Sequence, residues 1–204
     1  MLQTFLGVSK LINSHQTLLL TPTPYPSESL AGYLLRLTEK NYYESPNWIL
    51  QLAGLKAQKG IYIYEKPREP SCLSQLIRVE DKQLFFMASL PYETVYESNI
   101  RHYTIYKHGR KLCPQCLKES AYCQMIWDCQ IVKACPKHQC LLIQKCPACQ
   151  KDIKWSRPGV TQCKCGFDFR TTLPSLADSY QVNQSLYLYK LNSDARLLSK
   201  SNYQ

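Results

Sequence analysis

The chain has 204 residues, 25 Lys+Arg against 15 Asp+Glu, a formal net charge of +10 and a hydrophobic content of 45%. That length suits one large domain or two small ones, and the composition argues against wholesale disorder. Its 7 glycines form no phosphate-cradling loop, which excludes a Walker-type motor and a Rossmann dehydrogenase, and no apolar run nears the roughly 20 residues of a membrane span.

Residues 1–26 read as an irregular leader. Leu18–Leu20 is too short for a signal-peptide core, so the chain is expected to stay in the cytoplasm. The run Thr21-Pro22-Thr23-Pro24-Tyr25-Pro26 sets proline at alternate positions, which no helix interior accepts. Residues 27–100 read as a helical domain. Ser27 is an N-cap candidate, and Leu30, Leu34 and Leu37 recur at i, i+4, i+7 beside Tyr33, which predicts a helix at about 28–39. Ser45-Pro46 predicts a second start, followed by apolar Trp48, Ile49, Leu52, Ala53 and Leu55 and closed by Gly54 and Gly60. Ser71 is expected to cap a third helix at 71–78, and Asp81 to open a fourth at 81–89 that Pro91 ends. The turn around Arg78–Glu80 makes these two either a helix-turn-helix or an ordinary helical hairpin. Residues 1–100 hold 9 Lys+Arg and 9 Asp+Glu, and this neutrality counts against a groove-reading role.

Residues 101–170 differ sharply. They carry 13 Lys+Arg against 4 Asp+Glu, and ten of the chain's 11 cysteines lie between Cys113 and Cys165. In a reducing cytoplasm, clustered cysteines are metal ligands more often than disulfides. The order is Cys113-Pro-Gln-Cys116, 18 residues, Cys135-Pro-Lys-His138, 7 residues, Cys146-Pro-Ala-Cys149, 13 residues, Cys163-Lys-Cys165. Two residues between thiolates let one tight turn present both sulfurs to a single ion, and a second pair completes a tetrahedron. Eight ligands make two closed four-coordinate sites, which are structural rather than catalytic, and the Cys3His set favours zinc over an iron–sulfur cluster. Two structural Zn2+ per chain are therefore expected. Sequential pairing places Cys113, Cys116, Cys135 and His138 on one ion and Cys146, Cys149, Cys163 and Cys165 on the other. An interleaved arrangement, 113/116 with 146/149, is the rival, and it closes longer loops. Cys72, Cys123, Cys129 and Cys140 are expected to be buried non-ligands. Trp127 is expected to anchor the core of this unit, with an exposed platform for a stacked base as the other reading.

Counting the thiolates with their ions lowers the charge of 101–170 from +9 to about +6, still basic. The candidate nucleic-acid contacts are Arg110, Lys111, Lys133, Lys137, Lys145, Arg157, Lys164 and Arg170, with Lys151 and Lys154 adding to the density; a merely solvated lysine surface is the alternative. No H-x-E precedes a cysteine pair, as a zinc deaminase requires, and H-E-x-x-H is absent, so no catalysis is expected. The expected fold class is α plus a small zinc-stabilised α/β unit. It has a helix-turn-helix-like N-terminal domain (27–100), a tandem two-zinc ribbon or finger module (101–170) and a polar, partly helical tail (171–204).

Two stretches together resemble the TniQ family of transposon target-selection proteins. The first is Pro26-Ser-Glu28-Ser29-Leu30 through Leu34-Leu-Arg36-Leu37, with Asn41 after it. The second runs from Leu112-Cys113-Pro-Gln-Cys116 through Glu119, Tyr122 and Trp127 to Cys135-Pro-Lys-His138, Leu141-Leu142 and Cys146-Pro-Ala-Cys149. The short length resembles the compact members in CRISPR-associated transposons, especially the single-effector type V-K systems. The resemblance implies a bacterial, DNA-associated adaptor without catalysis. Its implied partners are the AAA+ ATPase regulator of the transposon and a CRISPR effector–guide RNA–target DNA complex. Cys163-Lys-Cys165 departs from the CxxC common in that family. A free-standing sequence-specific DNA-binding regulator is the alternative of a different class.

Overall fold

The computed structural model describes residues 17–55, 72–88 and 110–201. Helix α1 spans Leu30–Lys40. Its cap is Ser29, whose Oγ accepts the Gly32 amide at 3.0 Å, and not Ser27. Every residue from Leu30 to Thr38 is buried, so α1 is covered all round rather than along one stripe. Leu30, Tyr33, Leu34 and Leu37 pack into a cluster of helical residues, while Leu35 joins a second cluster built from the cysteine-rich segment.

Helix α2, Pro46–Leu52, starts as its sequence requires. Ser45 Oγ accepts the Asn47 amide and Pro46 takes the first helical position, where its missing N–H costs nothing. Gly54 at φ 69° ends it. Trp48 departs from the expected apolar stripe: it is 51% exposed, and Ile49, Leu50 and Ala53 make the packing instead. Helix α3 is Cys72–Ile77 and α4 is Asp81–Ala88, joined through Arg78 at φ 55°. Leu73, Leu76, Ile77, Val79, Leu84 and Met87 fill the first cluster. The leader contributes Leu18, which is buried and donates its amide to Leu76 O at 2.8 Å. The expected Ser71 cap, Gly60 stop and Pro91 closure lie outside the described residues.

The second half has little regular structure. It holds α5 (Pro114–Glu119), a 3-10 turn at Met125–Asp128, a two-stranded antiparallel sheet, a 3-10 turn at Phe169–Thr171 and a long helix α6 (Ser179–Ser201). Strands β1 (Ala134–Cys135) and β2 (Cys140–Leu141) pair Ala134 with Leu141 and Cys135 with Cys140. Helix α6 packs on β1 and on the 125–128 turn. Ser185 Oγ accepts the Ala134 amide at 3.2 Å, and the Tyr189 hydroxyl accepts Trp127 Nε1–H at 2.8 Å. Trp127 is 1% exposed within the second cluster, a core anchor and no stacking platform. Trp127→Ala is expected to cost about 3–5 kcal/mol, read as a lower urea midpoint at saturating metal. A midpoint within error of the parent would remove Trp127 from the core.

A clasp ties the halves together. Residues 25–29 run against 122–125, with Ser29 N–H to Cys123 O at 2.9 Å and Met125 N–H to Ser27 O at 2.8 Å. Ser27 Oγ lies 3.1 Å from the Tyr122 hydroxyl, and the Tyr25 and Tyr122 rings stack at 4.4 Å. Ser27 is thus taken up by the clasp. Gly32 is required here, since a Cβ would lie 2.6 Å from Cys123 Cβ. Behind the clasp, Arg36 bonds Glu28 through Nε (2.9 Å) and a terminal nitrogen (2.7 Å), with Glu28 fully buried. Burial pulls the Arg36 guanidinium down, but the Glu28 carboxylate more than offsets this and holds it above the ordinary arginine value.

Candidate metal centres

Each ligand pair sits in a local structure that its own residues produce. Cys113 is the N-cap of α5, its sulfur accepting the Cys116 amide at 3.4 Å, and Pro114 opens the helix, so one turn of helix aims both sulfurs the same way. Cys135 and His138 flank the turn between β1 and β2, which closes on Gln139 at φ 50°. The Cys146–Cys149 turn closes on Gln150 at φ 57°, with Gln150 N–H to Cys146 O at 2.8 Å. Cys163-Lys-Cys165 closes on Gly166 at φ 88°, where glycine relieves the left-handed backbone.

Folding brings these pairs into two groups. Cys113, Cys116, Cys135 and His138 form one; Cys146, Cys149, Cys163 and Cys165 form the other; within each, all four donor atoms lie within 4.8 Å of one another. This is the sequential arrangement. Donors about 2.3 Å from one tetrahedral centre sit about 3.8 Å apart. The sulfurs of Cys116 and Cys135 are 3.6 Å apart, those of Cys146 and Cys165 3.7 Å, and those of Cys149 and Cys163 3.9 Å. His138 offers Nδ1 at 3.5, 3.3 and 3.5 Å from the sulfurs of Cys113, Cys116 and Cys135. Both groups therefore have the size of a four-coordinate shell around one ion. The crowding splits proton affinities: sulfur hydrogen bonds from Cys116 and Cys135 hold the Cys113 thiol down at about 3, and the same contacts raise that of Cys116. At the second group, the Phe167 amide lowers Cys165 to about 7, while burial pushes Cys163 up to about 12.

The other cysteines divide. Cys123, Cys129 and Cys140 are buried, as expected, but Cys72 is exposed, because it opens α3 on the side away from the core. Cys140 stays outside the four-donor group, although its sulfur comes within 3.7 Å of Cys113 Sγ.

The eight candidate basic contacts fall into three kinds. Lys111 and Arg157 are 3% and 2% exposed and are withdrawn from the interface. A unit with so few strands leaves carbonyls without ladder partners, and these two cations serve them. Lys111 Nζ donates to the carbonyls of Cys129, Gln130 and Val132. Burial pushes its ammonium down to about 7. Arg157 donates to Lys154 O (2.9 Å), Val160 O (3.2 Å) and Cys123 Sγ (3.4 Å), and burial lowers its guanidinium too. Arg110, Lys137 and Arg170 are paired with Asp128, Glu119 and Asp168. Lys133, Lys145 and Lys164 are exposed and carry no ion pair among the described residues, and the same holds for Lys151 and Lys154. Charge counting alone does not separate these kinds, since a lysine beside a cysteine reads the same inside and out. Glu119 was quoted only as part of a motif; its position at the end of the Cys113–Cys116 helix is the signal that ties it to the metal ligands.

No helix among the described residues is long and apolar enough to cross a membrane. The family model for TniQ matches residues 19–142, which include α1, the clasp and the whole first ligand group. The second group lies beyond that match. No curated protein matches the chain.

Proposed function

The chain belongs to the TniQ family of transposition proteins, and we propose that it acts in target-site selection as a non-catalytic adaptor held together by two structural zinc ions. The observation that carries this reading is that both donor groups are complete: four protein atoms at tetrahedral spacing leave no open position for substrate or water. Zinc is the metal proposed because a Cys3His set suits it and an iron–sulfur cluster calls for thiolates throughout. In this reading the neutral helical half meets the AAA+ ATPase regulator of the transposon. The cysteine-rich half meets a CRISPR effector–guide RNA–target DNA complex, as in the compact type V-K systems, in the bacterial cytoplasm. Lys133, Lys145, Lys151, Lys154 and Lys164 are the phosphate contacts, since they alone of the basic set named above are exposed and unpaired among the described residues.

The test is a pull-down of each partner at two salt concentrations. Reversing Lys133, Lys145, Lys154 and Lys164 to Glu is expected to weaken capture of the RNA-bearing complex and flatten its salt dependence, because each lost phosphate contact removes about one released counterion. Capture of the ATPase is expected to stay within twofold. If both partners are lost together, the division between the halves is wrong. Tight, sequence-specific DNA binding by the isolated chain would favour a free-standing regulator instead.

A further inference from the structure

We propose that Glu119 is a positioning residue for the first metal: it fixes the His138 ring so that Nδ1, and not Nε2, is the donor. This rests on the zinc reading above. The ring's two nitrogens face different partners. Nδ1 lies within 3.5 Å of all three sulfurs, whereas Nε2 lies 3.0 Å from Glu119 Oε1. A neutral imidazole carries one proton and one lone pair, so an Nε2–H donated to a carboxylate leaves the lone pair on Nδ1. Glu119 is itself fixed from both ends. It is the last residue of α5, whose first turn carries Cys113 and Cys116, so one short helix supplies two thiolates and the carboxylate that orients the fourth donor. Lys137, beside His138 in the β1–β2 turn, bonds the other carboxylate oxygen at 2.5 Å.

The role is positional, not a matter of charge pairing. The Glu119 and Lys137 side chains are 46% and 66% exposed, and an ion pair that open to water contributes little by itself. His138 is less open, at 18%. Without the carboxylate, water can bond Nε2 as well as Nδ1, and the ring loses its reason to prefer one tautomer. Carboxylates that orient a ligating histidine commonly govern metal affinity by 10–100-fold.

The experiment uses the full chain. Zinc is titrated against a chromophoric chelator, and the His138 ring nitrogens are followed by 15N NMR. Glu119→Ala is expected to weaken one of the two zinc sites by roughly 10–100-fold, leave the other unchanged and replace the single Nε2–H tautomer with a mixture. Glu119→Gln keeps an oxygen that accepts Nε2–H and is expected to restore the tautomer and most of the affinity. Unchanged affinity at both sites together with a single tautomer in Glu119→Ala overturns the role. Loss of both zinc ions in Glu119→Ala, with no recovery in Glu119→Gln, marks a folding residue and overturns it too. A parent chain that binds fewer than two zinc ions refutes the metal reading instead, so the two failures are distinct.

Discussion

Cys116→Ser is expected to lose one of two bound metal ions and to unfold the cysteine-rich half at room temperature. A structural zinc contributes an apparent binding free energy of about 10–16 kcal/mol, against a total stability of about 5–15 kcal/mol for a typical domain. Little else holds this half: one two-residue strand pair, short turns and carbonyls served by Lys111 and Arg157. Read from sequence, the damage stops at the module. The structure extends it, because Leu35 of α1 packs into the second cluster and the clasp covers the start of α1. Hydrogen exchange is therefore expected to accelerate over residues 110–171 and over α1, with α2 affected least. Metal content by elemental analysis and exchange by mass spectrometry read both outcomes. A Cys116→Ser chain that keeps two ions and parent-like protection defeats the structural role; Cys149→Ser repeats the test at the second site.

Glu28→Gln is expected to destabilise the chain by about 3–5 kcal/mol, the usual cost of stripping one partner from a buried ion pair. Glu28 accepts from Arg36 Nε, from an Arg36 terminal nitrogen and from the Tyr25 amide. The neutral amide cannot accept two charged bonds, so Arg36 is left buried between the Tyr25 and Tyr33 rings with its charge uncompensated. The double variant Glu28→Gln/Arg36→Met removes that charge and fills the space with an apolar stem. It is expected to recover at least half of the loss, since buried pairs exchanged for apolar residues are often neutral. Urea unfolding of the parent, single and double variants decides it. A single variant within 1 kcal/mol of the parent, or a double variant worse than the single, shows that the pair does not carry the clasp.

The local signals were legible where one residue's chemistry decides the outcome. Ser45-Pro46 marked the start of α2 because cap and first position need nothing from the rest of the fold. The CxxC and CPxH pairs marked the metal groups because turn geometry and ligand chemistry coincide within four residues. What was illegible depends on distant partners. Ser27 and Ser29 are equal capping candidates in sequence, and only the 122–125 segment decides between them. Lys111 and Arg157 read as surface charge because the orphan carbonyls they serve are not visible in a string of letters. The segment after residue 171 read as a polar tail because two of the residues α6 buries, Ser185 and Asn192, are polar. Leu188 and Tyr189 between them complete a helical spacing that packs on the core.

The clasp also bears on how the chain tolerates change in length. Ser27 and Tyr122 are 95 positions apart, yet their hydroxyls meet. The strands of the clasp, α1 and the metal turns fix both ends of that span. Once the ends are fixed, the entropy of the intervening chain grows only with the logarithm of its length, and doubling a loop costs about 0.6 kcal/mol. Segments inserted between α2 and α3, or between α4 and Arg110, would thus be nearly neutral for folding. The clasp leaves evolution free to lengthen or shorten this protein between its two halves without moving either.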